Sequence, residues 1–280
     1  MKRLAVFLFA LSCALQVFAG KPASTPYTYS RLGNTADAQN ITLKGGTVLM
    51  GGGADVDAAF KWMCDRSSGG DLLVIRATGT DAYNKYIKRT CGTAANSVAT
   101  LIIPSRVAAD DERVAIYIRK AHAVWIAGGD QSNYVNYWKG TKVQVELDLR
   151  IRAGAPVGGT SAGLNVLTEF VYSALAPQGA TSSEALADPF NATMTFDRGF
   201  ATVASLAGII GDPHFFARDR MGRDLAFLCR VYALGWSNAP RGISVDEETA
   251  LLIDANGQGS VVGNGSVYFL QAPGAPQVCT

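Results

Sequence analysis

The chain has 280 residues, 48% of them hydrophobic and 17% charged, with a formal net charge of +2. Composition of this kind excludes collagen-like, coiled-coil and disordered classes and leaves ample apolar material for a folded core. Near-neutral charge and only two histidines also exclude a broad nucleic-acid surface and a multi-histidine metal site.

Residues 1–19 read as a secretory signal. Lys2 and Arg3 precede an apolar run from Leu4 to Leu15, and Val17-Phe18-Ala19 offers a cleavage site. Removing that segment takes two of the 25 basic residues and none of the 23 acidic ones, so the mature chain is neutral. No later run reaches about 18 apolar residues, which predicts a secreted or periplasmic protein without membrane attachment after cleavage. Export gives the remaining cysteines, Cys64, Cys91, Cys229 and Cys279, the meaning of two disulfides. Three pairings are possible. Cys64–Cys91 with Cys229–Cys279 is preferred, because the second bridge would staple the tail to the body.

Residues 20–44 are polar and weakly periodic and read as a lead-in to one domain over 45–280. Short apolar runs then alternate with helical patterns. Thr47–Met50, Asp71–Arg76, Thr100–Ile103, Ala123–Ala127, Ala155–Val157, Gly208–Ile210 and Gly242–Val245 read as buried strands. Val56–Arg66, Arg106–Ala121, Tyr134–Arg150 and Phe215–Leu234 read as helices. This alternation predicts an α/β fold: a mainly parallel sheet with helices on both faces. Leu251–Asp254, Ser260–Val262 and Val267–Leu270, separated by Asn256-Gly257 and Asn264-Gly265, predict a C-terminal β-meander.

The chemistry concentrates at Gly158-Gly159-Thr160-Ser161-Ala162-Gly163, a G-x-S-x-G between a strand and a helical pattern. Small neighbours let the chain turn sharply enough to lift Ser161 above the sheet, with the next N–H aimed at a developing oxyanion. A serine needs a base. His122 opens an apolar strand and reads as structural, whereas His214, in Asp212-Pro213-His214-Phe215-Phe216, follows a strand on the same edge as Ser161. Glu247, after the strand Gly242–Val245, is the chosen carboxylate over Asp188, Asp197 and Asp212, with Glu248 as its immediate alternative. The order nucleophile, histidine, acid argues against an ordinary lipase or esterase. Arg218, Arg220 and Arg223 behind the histidine suit a carboxylate clamp.

Four ordered motifs, Gly-Gly-Asp-Gln (128–131), Gly-Gly-Thr-Ser-Ala-Gly (158–163), Asp-Pro-His-Phe with its arginines (212–223) and Gly-Ile-Ser-Val-Asp-Glu-Glu-Thr-Ala (242–250), together resemble the cyanophycinase branch of the serine peptidases that also contain aspartyl dipeptidase. The resemblance covers about residues 45–270. It implies a class I glutamine-amidotransferase-like, flavodoxin-like fold, a homodimer, and a Ser161-His214-Glu247 triad. It also implies cleavage of an aspartate-arginine polymer to β-aspartyl-arginine, with Gln131, Asp212, Arg218, Arg220 and Arg223 on the substrate. The oxyanion would rest on the N–H groups of Gly129 and Ala162, and the mechanism calls on no metal or organic cofactor. Pro213 stands where cyanophycinases commonly carry glutamine, and Leu164-Asn165 where smaller residues are usual. The rival expectations are a dipeptidase for other acidic peptides and a non-catalytic binding homologue.

Overall fold

Buried β-branched runs become strands here because water is excluded from both of their faces, and glycine turns separate them from the helices that cover them. The structure, a computed structural model, describes residues 24–271 and Cys279. The expected signal, residues 1–19, lies outside the described residues. The first half comprises β1 (Thr28–Gly33), β2 (Thr47–Met50), α1 (Asp57–Arg66), β3 (Asp71–Arg76), α2 (Ala82–Cys91), β4 (Ser97–Ile102), α3 (Arg106–Ala109), α4 (Glu112–Lys120), β5 (Ala123–Ile126), α5 (Gln131–Trp138), α6 (Lys142–Arg152), β6 (Val157–Thr160) and α7 (Ala162–Asn165). The second half comprises β7 (Phe170–Tyr172), α8 (Ser182–Ala187), β8 (Phe196–Arg198), β9 (Ile209–Asp212), α9 (Met221–Ala233), β10 (Arg241–Val245), β11 (Thr249–Ile253), β12 (Gly259–Gly263) and β13 (Val267–Gln271).

The strands form two sheets. The first has eight strands in the order β1-β4-β3-β5-β6-β2-β11-β12, and the second has five, β13-β10-β9-β7-β8. Only the centre of the first sheet, β4 to β2, is parallel; β1, β11 and β12 run antiparallel at its ends. The expected mainly parallel sheet is therefore a mixed one. Its parallel strands are those followed by a helical crossover, while the lead-in and the β11–β12 hairpin supply edges without one. Alternation across the pleat builds a core on each face. Leu49, Leu73 and Val124 meet Ile118, Val143 and Leu147 on one side. On the other, Val48, Val74 and Trp125 meet Phe60, Met63 and Ile87.

Several expected elements change shape for local reasons. The lead-in contributes β1, which pairs with β4 from Thr28 opposite Ile102 to Gly33 opposite Ser97. The expected helix over 134–150 divides at Gly140, whose φ of +70° ends one helix before the next begins. The one over 106–121 divides at Asp110-Asp111, where Asp111 accepts from the Arg113 N–H and caps α4. The glycines at 158–159 lie inside β6, not after it. The expected meander holds for β11 and β12 only. Asn264-Gly265 carries the chain out of the first sheet, and β13 pairs with β10 in the second.

Cys64 on α1 faces Cys91 at the end of α2 with Cα atoms 6.1 Å apart, and Cys229 on α9 faces Cys279 at 5.8 Å. Both spans are compatible with disulfides. Among the described residues no helix is long and apolar enough to cross a membrane.

Candidate active site

Ser161 follows β6 and holds φ +53°, a conformation that non-glycine residues rarely adopt. Its neighbours explain how the chain reaches it. A Cβ at residue 159 would fall 2.4 Å from the carbonyl carbon of Gly163, and one at residue 163 would fall 2.1 Å from the Ile126 oxygen. Only glycine fits at either place, so the turn is tight enough to present the hydroxyl at the carboxyl edge of the sheet. The Ser161 N–H donates to the Met50 carbonyl at 3.0 Å, and the serine's own carbonyl receives Leu164 and Asn165, which begins α7.

His214 reaches the same place from the second sheet. It follows β9 at φ +51°, and its N–H donates to the Gly51 carbonyl at 2.8 Å. Its Nε2 lies 2.7 Å from Ser161 Oγ, and its Nδ1 lies 2.6 Å from Glu247 Oε1. Glu247 sits in the turn that leads from β10 into β11, followed by Glu248 at φ +56°. Glu248 points elsewhere and accepts from Asn264. Burial holds the His214 ring below its ordinary pKa; the bond to Glu247 opposes that shift, and Arg218 and Arg220 add to it. The ring is therefore neutral at pH 7, with an Nε2 lone pair available to the serine.

One contributor has a use that the sequence pattern does not show. The imidazole lies over Gly52, φ +98°, where a Cβ would fall 2.2 Å from His214 Cε1. Gly53 similarly faces the Glu247 side chain, with a Cβ position 3.0 Å from Glu247 Cβ. The triple glycine 51–53, placed after a strand, reads in sequence as a candidate ligand turn; in the structure it clears space for the His214 ring and the Glu247 side chain. The signal available was its position after a strand.

The remaining site residues divide. Asp212 and Arg223, expected on the substrate, are fully or nearly fully buried at 0% and 4% side-chain exposure. They bond to each other twice, at 2.8 and 2.5 Å, and Arg223 Nη1 also donates to the Ala180 carbonyl. Their facing groups are spent inside the protein, so these two hold the loop that carries His214. Arg220 is shared: its Nη1 donates to the Pro213 carbonyl at 2.7 Å and to Asp212 at 3.2 Å. Burial pulls its pKa down to about 10; Asp212 opposes that shift, and Arg223 and Arg218 add to it. Arg218 is exposed. Gln131 Nε2 donates to the Tyr172 carbonyl at 3.3 Å. Gly128 lies beside Ser161, with the exposed Gly129 next to it. His122 is at the opposite end of the sheet, where its Nδ1 accepts the Asp71 N–H at 3.1 Å.

Residues 43–187 match the model of Peptidase family S51. The chain belongs to that family. It is 25% identical over 236 residues to a cyanophycinase of Geminocystis herdmanii, covering 80% of each chain. To a cyanophycinase of Trichormus variabilis it is 28% identical over 187 residues, 66% of this chain and 57% of the relative. A peptidase from an acI-B1 actinobacterium has a similar fold, with a TM-score of 0.57 and 17% identity over 84% of this chain and 96% of the other. Membership of the family makes this chain a serine-type peptidase.

Proposed function

We propose that this chain is an exported serine exopeptidase that hydrolyses cyanophycin, the aspartate-arginine polymer, to β-aspartyl-arginine dipeptides through an acyl-enzyme. The observation that carries the reading is the continuous bond chain from Ser161 Oγ through both nitrogens of His214 to Glu247. Glu247 holds the proton on Nδ1, which leaves Nε2 to accept the proton from Ser161 as its oxygen attacks the peptide carbonyl. The N–H groups of Gly129 and Ala162 receive the oxyanion. His214 then returns its proton to the leaving amine, and water repeats the sequence on the acyl-enzyme.

Arg218, Arg220 and Gln131 meet the substrate, while Asp212 and Arg223 position the His214 loop. The disposition of helices about the first sheet is taken as glutamine-amidotransferase-like and flavodoxin-like. Cleavage after residue 19, bridges Cys64–Cys91 and Cys229–Cys279, and a homodimer complete the proposal. The test is incubation of the purified protein with insoluble cyanophycin and mass analysis of the soluble products. Release of β-aspartyl-arginine that vanishes in Ser161→Ala supports the reading; release retained in that variant overturns it.

A second reading, a dipeptidase for other acidic peptides, is favoured by Pro213, which offers no side-chain hydrogen bond where relatives of the resemblance carry glutamine. Here Asp-containing dipeptides would be hydrolysed and the polymer left intact.

A further inference from the structure

Past β5 the chain leaves the first sheet through Ala127-Gly128-Gly129 and enters α5 at Gln131. Asp130 caps that helix, its carboxylate accepting the Ser132 N–H at 2.9 Å. Two glycines in succession leave their peptide planes free to rotate, so the turn has little order of its own. The order comes from α5. One turn into the helix, the Tyr134 hydroxyl reaches back and donates to the Ala127 carbonyl at 2.7 Å and to the Gly128 carbonyl at 3.2 Å. The Ala127 N–H is held from the other side by the Ile75 carbonyl at 3.1 Å.

The tyrosine is itself fixed. It is buried, its ring stacks on Trp138 with centroids 4.3 Å apart, and the Trp138 indole N–H donates to the Ile103 carbonyl at 3.0 Å. Burial pushes the phenol pKa up, so the hydroxyl stays protonated and remains a donor. A Cβ at residue 129 would stand 3.2 Å from that oxygen, so the glycine leaves the hydroxyl its place.

The consequence falls on the next N–H. In a trans peptide, as each one is among the described residues, the carbonyl and the N–H point in opposite directions. The Gly128 carbonyl is turned inward to Tyr134, so the Gly129 N–H of the same peptide is turned outward. Among the described residues that N–H has no hydrogen-bond partner. Gly129 is exposed, and Gly128 lies against the nucleophile candidate, with its Cβ position 3.4 Å from Ser161 Cβ.

We propose that Tyr134 is a positioning residue for acyl transfer: its hydroxyl fixes the Gly128–Gly129 peptide so that the Gly129 N–H is aimed at the oxyanion before substrate arrives. The phenol touches neither substrate nor the reacting atoms. This inference rests on Ser161 as nucleophile and on the Gly129 N–H as an oxyanion donor.

The test is the rate at which a fluorophosphonate labels Ser161, a reaction that uses the oxyanion site whatever the peptide substrate is. Tyr134→Phe keeps the ring and its stacking on Trp138. Its maximal labelling rate falls by at least about tenfold, short of the loss that follows removal of a whole oxyanion donor. The half-saturating concentration and the pH dependence set by His214 stay where they are, and Tyr137→Phe on the same helix labels like the wild type. Gly129→Ala, at an exposed position that spares the core, crowds the same hydroxyl and lowers the rate, but adds little in Tyr134→Phe protein, where the hydroxyl is already gone. A Tyr134→Phe rate within about twofold of wild type, a change confined to half-saturation or to the pH limb, or full additivity of the two substitutions overturns the proposal. Should Tyr134→Phe fail to fold, Gly129→Ala alone decides, and an undiminished rate overturns it. An unlabelled wild type removes the nucleophile and this inference together; a labelled wild type with an indifferent Tyr134→Phe removes this inference alone.

Discussion

The two histidines of this chain are nearly identical by the usual measures. Both lie at strand ends, both are largely withdrawn from water, and burial lowers the pKa of both. They differ in what Nδ1 does. At His122 it accepts the Asp71 N–H, which fixes the proton on Nε2 and makes the ring a cap for the foot of β3. At His214 it faces the Glu247 carboxylate, which fixes the proton on Nδ1 and turns the Nε2 lone pair toward Ser161. One hydrogen-bond partner separates a structural ring from the proposed base.

The most direct way to break this comparison is to remove each ring. His214→Ala should cut turnover by about a thousandfold or more, as loss of a triad base does, with an unchanged thermal midpoint measured alongside. His122→Ala should keep turnover but lose about 1–3 kcal/mol of stability in denaturant titration, because it orphans the buried Asp71 N–H. The reverse assignment of effects would refute the distinction.

Next in size is Glu247→Gln. An amide can donate to Nδ1 and stabilise the wrong tautomer, so kcat should fall by about a hundred- to ten-thousandfold. Steady-state kinetics in which Glu247→Gln stays near wild type, while Glu248→Gln is crippled, would move the acid by one residue.

The shared pKa direction gives a gentler test. Since His214 is held below its ordinary 6.5, its neutral form persists to lower pH, and kcat/KM should keep its plateau below that value. An acid limb centred at or above 6.5 contradicts the burial argument. For stability the sign is the same at both rings. A depressed folded pKa favours the neutral form, so the stability involved is present above the unfolded value and is lost as pH falls through the folded one. Urea midpoints at successive pH values should therefore drop less on acidification for His122→Gln than for the wild type.

Asp224 supplies the opposite sign. It is fully buried, has one oxygen without a partner, accepts from Ser244 at the other, and burial raises its pKa to about 7 from 3.8. Its contribution is full below pH 3.8 and lost as pH rises through about 7. Asp224→Asn should flatten that decline. A variant whose stability still falls over the same range would show that another group titrates there.

Legibility from sequence followed the range of the forces involved. The elbow at 158–163 was readable because a short steric rule, glycine two residues either side of a serine, needs no knowledge of distant chain. His214 and Glu247 were placed by their position after strands, and the structure brings both to Ser161. Burial was not readable in the same way: Arg223 and Asp212 look in sequence like ligands for a substrate, and only tertiary packing shows that they satisfy each other. The helix expected over 215–234 starts late, at Met221, because His214 and Asp219 adopt positive φ and keep the intervening loop irregular. Residues 166–206 carry short elements, β7, α8 and β8, whose three- to six-residue lengths are too brief for periodicity to register. The split into two sheets was hidden because strand pairing is decided by partners far away in the chain, as the departure of β13 to β10 shows.

The placement of the proposed triad across those sheets has a mechanical meaning. The proposed nucleophile, Ser161, follows β6 of the first sheet, whereas the proposed base and carboxylate, His214 and Glu247, follow β9 and β10 of the second. The imidazole and its acid form one half of a clasp and the serine the other. A small slip between the sheets would therefore part the 2.7 Å contact at Ser161 while leaving the 2.6 Å contact at Glu247 whole. What resists the slip is the core shared by the two sheets, the His214 N–H bond to the Gly51 carbonyl, and the chain itself, which crosses from β10 to β11 through Glu247, so the acid sits at the pivot of the clasp.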